Sequence, residues 1–416
     1  MDRMLVRPTG PLEGRARISG AKNSVLKLMA ATVLAEGTFV LRNVPAIEDV
    51  TCMADLLRSM GMTVDHQGDV LTIVRPAEIT PEAPYDLVER MRASIVVLGP
   101  LLARFGRARV AVPGGDDFGP RPIDKHLQSL ERLGATFTTS HGYIEATADR
   151  LVGAPIFLDF PSVGATENAL MAAVLAEGET VIENAAREPE IADLAAFLNR
   201  MGASVLGAGS PTIVVEGVDE LSPVEHEVIP DRIEAATFLA ALGVSGGELV
   251  LEGARPDHMA TLMQKLGDLG IRTSSHPDGI WAMARGRLTA ADVSTLPYPG
   301  IATDYKPFLV SMLAVADGVG IVAENIFGGG RFRYVDELVR MGADIRTEDH
   351  YAIVRGVERL SGAPVRAHDI RAGAALVVAA LAADGETVIS DAFHIDRGYE
   401  RFPEKLTAIG ADVTRV

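Results

Sequence analysis

A single cysteine, Cys52, in 416 residues excludes an intramolecular disulfide and fits a reducing compartment. The opening stretch MDRMLVRPTGPLEGRARISG lacks the apolar core of a signal peptide, and nowhere do eighteen apolar residues run unbroken. A cytoplasmic chain without a membrane span is therefore expected. Basic charge is in deficit: 39 Lys and Arg against 56 Asp and Glu leave a net charge of −17. That balance argues against nucleic acid or an anionic membrane as partner. Small anions remain open, because arginines gathered in a cleft are locally positive inside an acidic shell. No Cys/His/Asp group has metal spacing and no Ser-His-Asp arrangement is legible. The stretch GGGRFRY (328–334) lacks the Gly-Lys-Ser/Thr ending of a P-loop. Neither a cofactor, a metal nor an obligate protein partner is expected.

What the chain does have is a repeat. Six segments close on the same pattern: SMGMTV at Gly61, RLGATF at Gly134, RMGASV at Gly202, DLGIRT at Gly270, RMGADI at Gly342 and AIGADV at Gly410. The glycines fall roughly 70 residues apart, longer than the ~20–50 residues of solenoid repeats. Each unit therefore reads as a βαβαββ subdomain. Alternating strands such as EGETVIENA (177–185) and DGETVISDA (384–392) follow Ala/Leu/Val-rich helices such as ENALMAAVLA and GAALVVAALAA. Those helices are apolar nearly all round and must be enclosed. An α/β chain of two three-repeat lobes is expected, an inside-out α/β barrel with short sheets around buried helices. The boundaries are placed at residues 22–229 for one lobe and 1–21 with 230–416 for the other.

Residues that interrupt the repeat are the better site candidates. Lys22 and Asn23 in SGAKNS head a buried helix, where lysine is costly. Lys22 reads either as an anion ligand helped by the helix N-terminus or as a snorkelling surface lysine. The loop PGGDDFGPRPID (113–124) pairs mobile glycines with Arg121 on a stiff Pro-Arg-Pro stem. It reads as a lid bringing Asp116 or Asp117 and Arg121 over a substrate, or as a surface loop. Asp304 in ATDYKP is locally a helix N-cap or else a base within reach of a substrate hydroxyl. Arg331, Arg371 and Arg397 sit at turns or helix starts. Jointly they suggest one anion-binding cleft. Cys52 reads as a packed core thiol.

Together GAKN, APYDLVERMRASIVVLGPLLARFG, PGG…GPRPID, SVGATENALMAAVLAEG, ENAAREPEI, PDRIE, TDYKP and HIDRGYER resemble the enolpyruvyl transferase family, in its UDP-N-acetylglucosamine 1-carboxyvinyltransferase branch. The resemblance runs from about residue 8 to the C-terminus. It implies transfer of the enolpyruvyl group of phosphoenolpyruvate to the 3-hydroxyl of UDP-N-acetylglucosamine by addition and elimination, in peptidoglycan precursor synthesis. By the same resemblance Lys22 and Asn23 contact phosphoenolpyruvate, and Arg121, Arg331, Arg371 and Arg397 bind anionic groups. Arg92, Arg121, Pro122, Ile123, Asp124, Ser162, Val163 and Ile326 hold the UDP-sugar. Asp304 stands beside the acceptor hydroxyl as base, which reverses the local N-cap reading.

Three positions depart from the family pattern. Asp116 stands where the family most often has the cysteine that donates a proton and is alkylated by fosfomycin. Asp116 is then the expected acid, with Asp117 next, and fosfomycin resistance follows. Phe160-Pro161 replaces a Lys-Val pair, and Lys125 replaces an apolar residue. Phe160 in that place could stack on a base and Lys125 could reach a phosphate, or both are tolerated variation at a pocket rim. Another nucleotide-linked acceptor is the alternative these positions leave open. A catalytically silent UDP-sugar binder is disfavoured by the retention of Lys22, Arg121, Asp304 and Arg397.

Overall fold

Six helices carry almost no polar face. They are α1 (Lys22–Ala31), α2 (Leu98–Phe105), α3 (Val163–Ala173), α4 (Arg232–Ser245), α5 (Lys306–Val315) and α6 (Ile370–Leu381). In the computed structural model, which describes residues 2–112, 123–327 and 331–416, every residue of α5 and α6 is buried. Ala, Leu and Met favour the helix. With no polar stripe to offer water, these helices are stable only when surrounded. Ser162, Asp231 and Asp369 cap α3, α4 and α6 through their side chains, satisfying backbone donors that a buried helix end would leave orphaned. The loop candidates Asp116, Asp117, Arg121 and Pro122 lie outside the described residues.

The enclosure is made by six four-stranded mixed sheets. The third shows the pattern. Pro155–Phe157 pairs parallel with Glu179–Glu183 across α3, and Glu179–Glu183 pairs antiparallel with Thr212–Glu216, the far arm of a hairpin with Ser204–Leu206. Burial alternates along these strands, so one face of the sheet meets the helices and the other meets water.

Two sheets depart from simple repetition. Leu12–Arg17 precedes α1 in sequence, yet it pairs parallel with Gly247–Glu252. Glu225–Glu227 precedes α4, yet it pairs parallel with Gly37–Arg42. The first and fourth repeats have thus exchanged edge strands. The sixth sheet takes its third strand from the N-terminus: Arg3–Arg7 lies antiparallel between Thr387–Ser390 and Asp412–Arg415.

The chain divides into two compact units, residues 20–229 and residues 2–19 with 230–416. Each has its own apolar core. In the second unit α4, α5 and α6 pack on one another. In the first, α2 packs on α3, and α1 packs on the helix Pro189–Arg200 and the 3-10 segment Arg92–Val97. Burying each Leu, Ile or Met of these cores contributes about 1.5–3 kcal/mol relative to exposure.

The recurring glycines have one shared cause. Gly61, Gly134, Gly202, Gly270, Gly342 and Gly410 all have positive φ, from 91° to 109°. Each follows the last residue of an amphipathic helix, as Gly342 follows Tyr334–Arg340 and its cap Met341. The next N–H reaches back to the helix, as Ala343 does to Leu338 O at 3.0 Å. This Schellman closure needs a left-handed residue, and glycine takes it without a Cβ penalty. A Cβ on Gly342 would meet only Ser361 Oγ at 3.9 Å, so strain there comes from the backbone alone. Gly342→Ala is expected to cost about 1–2 kcal/mol, read as a lower thermal midpoint with no change in far-ultraviolet circular dichroism at 20 °C.

Candidate active site

Because the core helices are apolar along their length, polar groups gather at their N-terminal ends. Lys22 is the first residue of α1, Arg92 opens the 3-10 segment leading into α2, and Ser162 and Val163 open α3. Asp304 lies in the 3-10 turn Thr303–Tyr305 before α5, and Arg371 is the second residue of α6. A helix N-terminus presents unpaired N–H groups and a partial positive charge, a setting that favours anions.

In the unit of residues 20–229, Lys22 is no snorkelling surface lysine. Its ammonium pairs with Asp49 at 2.8 Å, with the two side chains 12% and 4% exposed. Asp49 comes from the helix Glu48–Ser59. Two residues on, Ser24 Oγ donates to Asp193 (2.5 Å), whose other oxygen lies 2.8 Å from His226 Nε2. The backbone can approach here because Gly20 has no Cβ: one would stand 1.7 Å from Asn43 O. One turn into α1, Lys27 Nζ donates to Asn23 O at 2.8 Å and lies 3.4 Å from Glu167.

The same unit collects a second set of candidates. The helix Asp124–Arg132, which begins with Asp124 and Lys125, packs on α3. Its His126 lies where a Cβ on Gly164 would be, 2.6 Å from the ring. Asn168 fixes the tautomer of that ring. Its Oδ1 accepts the Gly99 N–H at 2.8 Å, so its Nδ2 is the group that faces His126 Nδ1 at 2.8 Å. Burial, then the charge of Arg92, holds His126 neutral by lowering its pKa to about 4. Lys125 turns to Asp159 and forms an ion pair with it. The exposed Asp159 is lowered chiefly by that hydrogen bond. Ile123 and Phe160 are half-buried beside these elements.

In the other unit one pocket brings Asp304, Arg331 and Arg371 together with Lys306, Tyr334, His368 and Asp369. Arg371 Nε lies 4.0 Å from Asp304 Oδ2. Arg371 is buried, not solvated, and its guanidinium sits 5.4 Å from the ring centroid of Tyr399. Arg331 donates to Thr303 Oγ1 at 3.2 Å and stacks 3.6 Å from the Phe327 ring centroid. Asp304 is not an N-cap, since the cap position of α5 is Tyr305 and no side chain caps there. Ile326 donates its N–H to Glu324 at 3.0 Å. Arg397 is not among the residues lining this pocket; it sits in the turn that closes the short helix Phe393–Asp396. Cys52 is a packed core thiol, 3% exposed, and burial pushes its pKa up to about 11.

Sequence reading missed Asp49, Glu167, Asn168, Lys306 and Glu324. Lys306 carried a signal, a lysine at the head of an all-apolar helix. The carboxylates were hidden because each meets its partner only through the fold. Among the described residues no group of three His, Cys, Asp or Glu side chains is arranged to hold a metal, and no helix is long and apolar enough to cross a membrane.

Six βαβαββ units with their polar residues at the helix heads define an enolpyruvyl transferase fold, and the chain belongs to the EPSP synthase (3-phosphoshikimate 1-carboxyvinyltransferase) family, whose model matches residues 6–406. Within that family it is 51% identical over 415 residues to the UDP-N-acetylglucosamine 1-carboxyvinyltransferase of Mycolicibacterium paratuberculosis, covering 100% of this chain and 99% of the relative. It is 52% identical over 421 residues to the enzyme of that name from Nocardia farcinica, covering 100% and 99%. Among solved structures, the enolpyruvyl transferase NikO from Streptomyces tendae superposes with a TM-score of 0.89 at 26% identity, covering 100% of this chain and 99% of NikO.

The pair near Asn23 gives a pH test. Burial raises Glu167 from 4.5 to about 7, against the opposing charge of Lys27. Folded Glu167 therefore holds its proton more tightly than the unfolded chain does. Its contribution is fully present below pH 4.5 and is lost as pH rises through about 7. Glu167→Gln is expected to remove that loss. Thermal midpoints of wild type and variant, compared at pH 5 and pH 8, should converge at the lower pH and favour the variant at the higher.

Proposed function

We infer that this chain transfers the enolpyruvyl group of phosphoenolpyruvate to the 3-hydroxyl of UDP-N-acetylglucosamine with release of phosphate, the first committed step of peptidoglycan precursor synthesis in the cytoplasm. Full-length identity of about half to the carboxyvinyltransferases supports the reading. The observation that carries it is the pocket in which the Asp304 carboxylate stands 4.0 Å from buried Arg371, with Arg331 on the same wall.

The chemistry needs one base, one acid and cationic clamps. Asp304 accepts the proton of the sugar hydroxyl as its oxygen attacks C2 of phosphoenolpyruvate, while an acid delivers a proton to C3. The tetrahedral adduct then loses phosphate from C2 and a proton from C3, regenerating the enol ether. Arg331 and Arg371 offset the charge of phosphate and carboxylate, a contribution that grows in a site from which water is excluded. Lys22 and Asn23, at the N-terminus of α1, fit an anionic substrate group, as do Arg121 and Arg397. Arg92, Asp124, Ser162 and Val163 fit the UDP-sugar, with Pro122, Ile123 and Ile326. Lys125 is engaged by Asp159, which disfavours a direct phosphate contact from that side chain in this conformation. Asp116 takes the acid role in place of cysteine. An ordinary aspartate has a pKa of ~3.9, so desolvation must keep it protonated for the transfer.

Phosphate release with phosphoenolpyruvate and UDP-N-acetylglucosamine tests the reading. Faster release with UMP or shikimate 3-phosphate as acceptor would favour a paralogous transferase instead. Asp304→Asn should lower kcat by about 10²–10⁴-fold, the usual weight of a positioned base. Asp116→Asn should also collapse turnover, and full activity in that variant would transfer the acid role to Asp117. Fosfomycin should leave the wild type active after prolonged incubation, with no mass added at Asp116.

A further inference from the structure

Lys306, on the wall of the pocket that holds Asp304, belongs to an ion pair for which the reaction as written has no use. Lys306 Nζ lies 2.8 Å from Glu324 Oε2, and the two side chains are 2% and 1% exposed. Both oxygens of that carboxylate are occupied. Oε2 also accepts from Thr303 Oγ1 at 2.7 Å. Oε1 accepts from Thr295 Oγ1 at 2.8 Å and from the N–H groups of Ile326 at 3.0 Å and Phe327 at 3.3 Å. The Thr303 hydroxyl, having donated to Glu324, accepts from Arg331 at 3.2 Å. One side chain thus ties the turn carrying Asp304, the head of α5 and the backbone at 326–327. Arg331 donates to the same turn at the Thr303 hydroxyl.

Core filling does not explain this arrangement, since an apolar pair of equal volume avoids the desolvation of two ions. Lys306 is the counter-charge that lets Glu324 stay ionised under cover. Burial brings the ammonium down to about 8 despite Glu324. Burial also works against the Glu324 carboxylate, but Lys306, Thr303 and the Ile326 N–H outweigh it and hold the carboxyl below its ordinary range.

We propose that Glu324, with Lys306 as its counter-ion, is a positioning residue for enolpyruvyl transfer, setting Asp304 and Arg331 through the hydroxyl of Thr303. The proposal rests on the reading of this pocket as the place where Asp304 acts. Glu324 touches neither substrate in this role. It fixes the backbone turn on which the base is mounted and the donor that aims the arginine. A misplacement of about 1 Å at a reacting group can cost about 10²-fold in rate, so the effect belongs in kcat.

The test uses the full chain, with phosphate release from phosphoenolpyruvate and UDP-N-acetylglucosamine as the readout. Glu324→Gln keeps the shape but replaces an all-acceptor group by one that is half donor. It should lower kcat by about 10²-fold with KM for the UDP-sugar little changed. Because that variant leaves Lys306 unpaired and can fail to fold, Thr303 supplies the second arm. Thr303→Val removes only the hydroxyl link and should lower kcat while the thermal midpoint stays near that of wild type. Thr303→Ser, which restores the hydroxyl, should recover wild-type kcat. An active wild type with an equally active Thr303→Val variant overturns the proposal alone. Equal losses in Thr303→Val and Thr303→Ser also overturn it, since the methyl and not the hydroxyl would then matter. A wild type inactive on every acceptor overturns the functional reading and this proposal with it.

Discussion

The constraint on which the rest of the structure depends is that six largely apolar helices must be enclosed, which crowds most of their polar groups toward their N-terminal ends. An apolar helix is stable only inside an enclosure, and the four-stranded sheets provide it. Once enclosed, the helix offers solvent only its termini. Lys22, Ser162, Asp304 and Arg371 all fall within two residues of a core-helix start. Packing therefore decides where chemistry can occur before any catalytic group is chosen. The helix heads add their own positive potential, which suits substrates carrying phosphate and carboxylate.

A second regularity lies in how the lysines are held. Lys22 pairs with Asp49, Lys27 with Glu167, Lys306 with Glu324, and Lys405 with Glu234. Each joins a cation to a carboxylate that is nearly or fully buried. Such pairs add little net stability, because desolvation consumes the Coulomb gain. Their value is geometric, since a buried carboxylate held by further hydrogen bonds, as Glu324 is by Thr295 and Thr303, has few alternative arrangements. In a chain of net charge −17, these lysines are placed by acids and not merely scattered among them.

Much of the fold was legible in the sequence. The closing glycines mark six left-handed helix ends, and the Ala/Leu-rich stretches are the buried helices. The edge-strand exchange between Leu12–Arg17 and Glu225–Glu227 was not legible, because both strands carry the same alternation and either partner would satisfy it. For the site, the interruptions of the repeat pointed to Asp304, Arg331 and Arg371, which share a pocket. Arg371 is buried, since its position on an enclosed helix outweighs its charge. Glu324 and Asp49 escaped notice because nothing local distinguishes an acid that will be buried from one that will face water. The loop with Asp116 and Arg121 is known only as sequence.

The N-terminal strand has a consequence for the order of synthesis. Arg3–Arg7 is central in a sheet whose other members are Pro364–Arg366, Thr387–Ser390 and Asp412–Arg415, and Arg3 exchanges backbone hydrogen bonds with Val416. Leu12–Arg17 waits similarly for Gly247–Glu252. On the ribosome, residues 20–229 can complete their own sheets as soon as they emerge, because every strand of those sheets lies within that span. The first two strands emerge earlier, yet Leu12–Arg17 has no partner until Gly247–Glu252 is made and Arg3–Arg7 none until Thr387–Ser390. Two strands with exposed hydrogen-bonding edges are thus carried through most of translation, the kind of segment that seeks other chains. Both strands are short, five and six residues, and carry charged side chains, features that blunt an unpaired edge.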